Sequence, residues 1–333
     1  MLKRGSNQCA HRGDKNFIMI AFILLSILSA GSGERTPATE VWSPGPGRTQ
    51  INLWAGKIPS AIKTEPPESM FRVTDKPVGG KPWTVVQNVS IPTMTVYQPT
   101  GEASKTAVIV YPGGGYNLLA IDLEGSEICE WLNSIGITAI LVKYRVPTPK
   151  IGRYRESLQA LQDAQRAISL VRSQSKALRI DPKKIGVIGF SAGGHLVAAV
   201  STRFAKRAYP RQDAIDDVSC RPDFAVPVYP GHLVLDHSGV PANQAKRSGL
   251  PINPNITVTK DTPPTFLVQS QDDPIDDPKN SIGYFLALKN ARVPVELHMF
   301  SHGEHAFGLR KDTMPVGAWP NLLERWLRYM KFL

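Results

Sequence analysis

The chain has 333 residues, 42% of them hydrophobic, and a formal net charge of +11. That much apolar material excludes global disorder and suffices for one α/β domain with a short extension. The chain is basic, yet no Lys/Arg block interleaved with aromatics occurs, which argues against a nucleic-acid partner and leaves a solvated basic surface.

Residues 1–33 read as an export signal. Lys3, Arg4, Arg12 and Lys15 precede an apolar run over 17–28, and the small residues Ser29, Ala30, Gly31, Ser32 and Gly33 follow, with cleavage expected near 31–33. The apolar run is shorter than the roughly 20 residues that span a bilayer, so removal rather than retention as a membrane anchor is expected. The mature protein is then secreted or periplasmic, and loss of four cations and Asp14 leaves a charge of about +8. Of three cysteines, Cys9 leaves with the signal. Cys129 and Cys220 could form one disulfide in an oxidising compartment, although Cys129 sits in a helical pattern and reads better as a small buried hydrophobe.

Residues 34–83 are rich in Pro, Gly and Thr, with scattered apolar anchors such as Trp42, Leu53, Trp54 and Ile58, and read as an irregular N-terminal arm. Residues 84–333 change character. Two short β-rich runs, 84–89 and 93–97, suggest an entry hairpin. Strands at 107–111, 138–142, 184–190, 224–229, 265–269 and 295–300 then alternate with helices near 124–134, 158–176, 192–204, 278–291 and 318–331. This rhythm predicts a mostly parallel central sheet flanked by helices on both faces. Residues 231–264 interrupt it with Pro, Asn and Gly, and read as an insert or small lid.

Gly189-Phe190-Ser191-Ala192-Gly193 fits G-x-S-x-G and falls between a strand and a helix, where a nucleophile elbow needs a sharp turn with small flanking residues. Upstream, Tyr111-Pro112-Gly113-Gly114-Gly115-Tyr116 follows another strand. Its consecutive glycines allow amides to face an oxyanion, and the amides of Gly114, Gly115 and Ala192 are the candidate donors. A serine nucleophile needs a base, and the base needs an orienting carboxylate. Asp272 and Asp273 both leave the strand at 265–269; Asp272, the first off the strand, is the preferred orienter, with an exchange of roles open. Asp276 and Asp277 suit capping of the next helix. His305 is the preferred base, with His302 its competitor. His195, one turn into the elbow helix, suits packing, and Arg145 and Asp163 suit a structural pair. No metal-ligand spacing occurs among Cys and His, so neither metal nor organic cofactor is expected.

The series Tyr111-Pro-Gly-Gly-Gly-Tyr116, Lys143-Tyr-Arg-Val-Pro147, the run from Asp181 through Ser191 to His195, Asp272-Asp-Pro274 and Gly303-Glu-His-Ala-Phe-Gly308 resembles the bacterial acetyl xylan esterases and related carbohydrate esterases of the α/β-hydrolase superfamily. The resemblance covers nearly all the chain after about residue 51 and extends to Asn52-Leu-Trp-Ala-Gly-Lys-Ile-Pro59, with Ala55 where that group usually has proline. Pro112 replaces the first residue of the His-Gly-Gly-Gly form. The resemblance implies Ser191 as nucleophile, Asp272 as orienter, His305 as base, and removal of acetyl or other short acyl groups from polysaccharides or oligosaccharides. A feruloyl esterase and a serine peptidase of the prolyl-oligopeptidase type are the rival enzymes, although no β-propeller precedes the domain. A carbohydrate-binding protein with an inactive hydrolase fold is the non-enzymatic rival.

Overall fold

The computed structural model describes residues 40–61, 63–146, 158–235 and 250–333. All of them fall within one unit, Thr39–Leu333. The expected export signal lies outside the described residues, as do residues 236–249 of the expected insert.

The short apolar runs became strands because a sheet covered on both sides needs continuous hydrophobic segments. β5 (Ala107–Tyr111), β7 (Thr138–Lys143), β8 (Ile185–Phe190), β9 (Phe224–Val228) and β10 (Thr265–Ser270) are buried along their whole length. They belong to an eight-stranded sheet of order β1-β4-β7-β5-β8-β9-β10-β11, where β1 is Gln50–Asn52, β4 is Thr93–Tyr97 and β11 is Val295–Phe300. From β7 to β11 every pairing is parallel; β4 joins β7 antiparallel and β1 closes the edge. In a parallel sheet all the carboxyl ends lie on one edge, and the loops there form the natural crevice.

The longer helices among the described residues are α1 (Glu127–Ser134), α2 (Leu158–Ser173), α3 (Ala192–Thr202), α4 (Lys279–Asn290) and α5 (Trp319–Tyr329). Trp319 and Trp326 of α5 pack on Phe190, Phe224 and Phe266 of three successive strands. Tyr111 of β5 donates from its hydroxyl to the Ala164 carbonyl of α2. α3 carries buried residues on every side, so it is a core helix whose position follows that of the strand before it.

Two expectations fail in the N-terminal third. Residues 84–89 and 93–97 do not form a hairpin: β3 (Lys81–Gln87) pairs with β2 (Ser69–Val78) and β6 (Leu118–Ala120) in a separate three-stranded sheet, while β4 enters the main one. The stretch expected to be irregular therefore contains the ten-residue β2 and the edge strand β1. β2 shows only two fully buried side chains, so its sequence lacks the apolar signal of the central strands.

The arm is tied down by charge as well as by packing. Arg145 and Asp163 pair at 2.8 Å, 1% and 0% exposed, and Trp54 donates to the same carboxylate at 2.9 Å. Arg145 also donates to the Pro59 carbonyl. Beside this pair, Arg166 bonds the Leu53 carbonyl, Asp213 and Asp216. Removing one partner of a buried pair leaves an uncompensated charge, so Asp163→Asn is expected to lower the unfolding free energy by about 3 kcal/mol or more, read from denaturant unfolding.

Candidate active site

Ser191 is the residue between β8 and α3, with φ 53° and ψ −116°. This backbone is sterically costly for a residue with a side chain and is held only if the surroundings allow it. They do so by approaching closely: a Cβ at Gly193 would run into the Tyr111 carbonyl, and one at Gly189 into the Gly193 carbonyl. Both glycines of the motif are thus required by contact.

Three elements converge on the serine. His305, in the loop after β11, places Nε2 3.0 Å from Ser191 Oγ. Its Nδ1 lies 2.8 Å from Asp273 Oδ2, in the loop after β10. The residues on either side of the histidine, Glu304 and Ala306, both have φ 54°, so the ring is presented from a tight, strained turn. Tyr229 packs against the imidazole at 5.0 Å between ring centres and against Phe307 at 4.5 Å.

Asp272, the preferred orienter from sequence, does not reach His305. It accepts hydrogen bonds from the Ser270 hydroxyl (2.6 Å) and the Gly303 and Glu304 amides (3.0 and 2.7 Å), and it faces the exposed His302 at 3.3 Å. These donors hold its carboxyl at about 2, the Ser270 hydroxyl most strongly. The two aspartates divide the work: Asp272 fixes the turn that carries the histidine, and Asp273 faces the histidine itself. Both aspartates lie beyond the end of β10, Asp272 within the turn that follows it, so their order off the strand does not decide which carboxylate meets the histidine. His302 is correspondingly a partner of Asp272 and not of Ser191.

On the opposite side of Ser191, the loop after β5 brings Gly114 (φ +133°) and Gly115 (φ +62°) beside the elbow. Among the described residues, no protein acceptor takes the Gly114, Gly115 or Ala192 amide, which leaves all three able to meet an anion. The loop is pinned on both sides of its first peptide: the Tyr144 hydroxyl donates to the Pro112 carbonyl (2.6 Å), and the Gly113 amide donates to buried Glu124 (2.8 Å). Proline at position 112 therefore costs the loop no anchor.

A family model described as alpha/beta hydrolase fold matches residues 108–255. The chain is 36% identical to an acetyl ester-xyloside bifunctional hydrolase from Caldicellulosiruptor lactoaceticus of known structure, over 86% of this chain and 97% of that one, with a TM-score of 0.66. It is also 28% identical to an acetylxylan esterase of Xylanibacter ruminicola and 25% identical to endo-1,4-beta-xylanase B of Butyrivibrio fibrisolvens. Those alignments cover 65% and 68% of this chain but only 43% and 36% of the two proteins, so the chain matches well under half the length of either.

The chain belongs to the α/β-hydrolase superfamily.

The edge of the sheet around Ser191 is rich in carboxylates. Asp276, which the sequence suggested as a helix cap, instead points to the elbow, with Oδ2 3.3 Å from Ser191 Oγ and 3.9 Å from His305 Nε2. The adjacent Asp277 is the capping residue, accepting from the Lys279 amide. Burial raises the Asp276 carboxyl to about 6, against the pull of His305 and with a further push from Asp273. Burial also raises Glu124, which accepts from the Gly113 amide and the Tyr229 hydroxyl. His305 is pulled down by burial, but the hydrogen bond and charge of Asp273, then the charges of Asp276 and Glu124, outweigh this and leave it above its ordinary value of 6.5. His195 behaves in the opposite way: buried, 2.8 Å from the Tyr116 hydroxyl, it is held at about 3 and stays neutral, as a packing histidine should.

Cys129 and Cys220 are both buried free thiols, so the possible disulfide is not formed. Among the described residues no group of three or more His, Cys, Asp or Glu could hold a metal, and no helix is long and apolar enough to cross a membrane.

Asp273→Asn is expected to lower kcat by about a thousandfold or more, because the imidazole loses both its orientation and its counter-charge, whereas Asp272→Asn costs less than about tenfold. Steady-state kinetics on an aryl acetate compares the two. A base must be neutral to act, so activity rises as pH passes upward through the raised value of His305. In Asp276→Asn one of the three carboxylates supporting the imidazolium is gone, and the acid limb of the kcat/KM profile is expected to move to lower pH.

Proposed function

We propose that this chain is a serine carboxylester hydrolase that removes acetyl or other short acyl groups from polysaccharides or oligosaccharides, outside the cytoplasm. The observation that carries the chemistry is the Asp273–His305–Ser191 chain, with hydrogen bonds of 2.8 and 3.0 Å, beside three unengaged amides. The substrate class is supported by the names of two similar proteins, an acetylxylan esterase and an acetyl ester-xyloside bifunctional hydrolase. Export is supported by the basic, apolar and small-residue pattern of residues 1–33.

In this reading Ser191 Oγ attacks the ester carbonyl as His305 Nε2 takes its proton. The resulting imidazolium is flanked by the Asp273 carboxylate, and the tetrahedral oxyanion is met by the Gly114, Gly115 and Ala192 amides. α3 starts at Ala192, so its positive end adds to the same stabilisation. His305 then returns the proton to the alcohol oxygen, which departs and leaves the acyl group on Ser191. Water attacks the acyl-enzyme, His305 again takes the proton, and the acid and free serine are restored. Each step uses groups already positioned, so little reorganisation is needed.

Ser191→Ala is expected to reduce turnover of acetylated xylan and of 4-nitrophenyl acetate by at least about a thousandfold while leaving the unfolding transition in place. The wild type should release acetate faster than butyrate or ferulate from matched esters. Undiminished acetate release by Ser191→Ala would refute the nucleophile, and faster ferulate release would move the substrate class.

A further inference from the structure

Beyond adding its charge to the field at His305, Asp276 has no part in the acyl-transfer steps above. Its side chain is 6% exposed, and its Oδ1 rests against Gly231, where any Cβ would collide with the carboxylate. A carboxylate so enclosed is costly unless its lone pairs are used. Among the described residues, the Ser191 hydroxyl at 3.3 Å is the one donor to that carboxylate. Asp273, by contrast, accepts from the Gln269 side chain and from the Ile275 and Asp276 amides in addition to facing His305. Asp276 thus retains acceptor capacity in a nearly dry position, directed at the reacting serine.

Topology says which part of an ester it meets. The Gly114 and Gly115 amides come from the loop after β5, on one side of β8, and the Ala192 amide from the elbow after β8 itself, whereas Asp276 follows β10 and Gly231 follows β9, both on the other side. The carboxylate therefore lies away from the developing oxyanion, which it would otherwise repel. The alcohol oxygen must come within hydrogen-bonding reach of His305 Nε2 to be protonated, and Asp276 Oδ2 is 3.9 Å from that nitrogen. Groups attached close to the alcohol oxygen pass beside Asp276.

We propose that Asp276 is a specificity-determining residue that accepts a hydrogen bond from a free hydroxyl on the alcohol half of the ester, adjacent to the acylated oxygen. The site then favours partially acylated polyols, in which a neighbouring hydroxyl remains free, over esters of alcohols with no second hydroxyl. That hydroxyl would take the place of Ser191 as the donor to Asp276, leaving the serine proton to His305 alone. Substrate binding and nucleophile alignment are in this way coupled through one carboxylate. The inference rests on the serine-esterase reading above and narrows its substrate class.

The test is a preference ratio. Wild type, Asp276→Leu and Asp276→Asn are assayed for kcat/KM on a methyl xyloside bearing one acetyl group and on its counterpart whose adjacent hydroxyl is methylated. A charge-assisted hydrogen bond corresponds to about a tenfold or greater preference for the free hydroxyl in the wild type. The ratio should fall to within about twofold in Asp276→Leu and to an intermediate value in Asp276→Asn. Stoichiometric organophosphate labelling counts competent sites, so if the leucine variant does not fold the asparagine variant carries the comparison. A wild type with no preference, or a preference that survives both substitutions, overturns the proposal. Ser191-dependent hydrolysis of 4-nitrophenyl acetate without any preference refutes this inference alone, whereas absence of that hydrolysis refutes the esterase reading beneath it.

Discussion

The strained backbone of Ser191 is the constraint around which the catalytic edge is built. At φ 53° and ψ −116° the residue would relax if anything around it gave way. What holds it is the central position of β8, hydrogen-bonded to β5 on one side and β9 on the other, together with the immediate start of α3. The Ser191 amide donates to the Val228 carbonyl and its carbonyl accepts from the His195 amide, so the strained residue is bonded forward and back. Close contact between Gly193 and the Tyr111 carbonyl then brings the loop after β5 against the elbow. One local conformation therefore fixes both the proposed nucleophile and the proposed oxyanion amides.

Around that point the electrostatics are unusual for a simple triad. His305 is surrounded by Asp273, Asp276 and Glu124, all contributing in the direction of the imidazolium. Such a field favours proton capture by the histidine, which aids attack, but it also keeps the histidine charged to a higher pH than an isolated imidazole would be. The balance between these effects depends on how much of the carboxylate charge is present. Asp276, whose carboxyl burial raises to about 6, contributes a charge that varies with pH in that region.

Much of this arrangement was legible in the primary structure. Five of the six parallel strands were visible as short apolar runs at nearly their observed bounds, because burial on both faces forces continuous hydrophobicity; β11, Val-Glu-Leu-His-Met-Phe at the sheet edge, is only partly buried and mixes polar with apolar residues. Ser191 and His305 were legible because each sits in a short motif tied to a strand end. The acid was harder: Asp272, Asp273, Asp276 and Asp277 lie within six positions, and composition cannot say which way each carboxylate points. The answer came from hydrogen bonds to the backbone of a different loop, Gly303 and Glu304, which drew Asp272 away. The small sheet of β2, β3 and β6 was missed because β2 is largely exposed and charged, β2 and β3 each contain a proline, β6 is only three residues long, and β3 and β6 are separated by β4 and β5 in the chain.

Glu124 shows how the two halves of the site are kept in register. One carboxylate oxygen accepts from the Gly113 amide, at the root of the glycine loop, and the other accepts from the Tyr229 hydroxyl. Tyr229 in turn accepts from the Gly308 amide and lays its ring on His305 and Phe307. The glycine loop and the loop that carries His305 are thus joined by two buried side chains, Glu124 and Tyr229, without passing through Ser191. Shifting either loop breaks a hydrogen bond in a low-dielectric interior, where an unpaired partner is costly. The glycine loop has no histidine at its first position to hold it, and Glu124 with Tyr144 supplies that restraint from behind. A carboxylate outside the proposed proton-transfer path therefore ties together the two loops that flank Ser191.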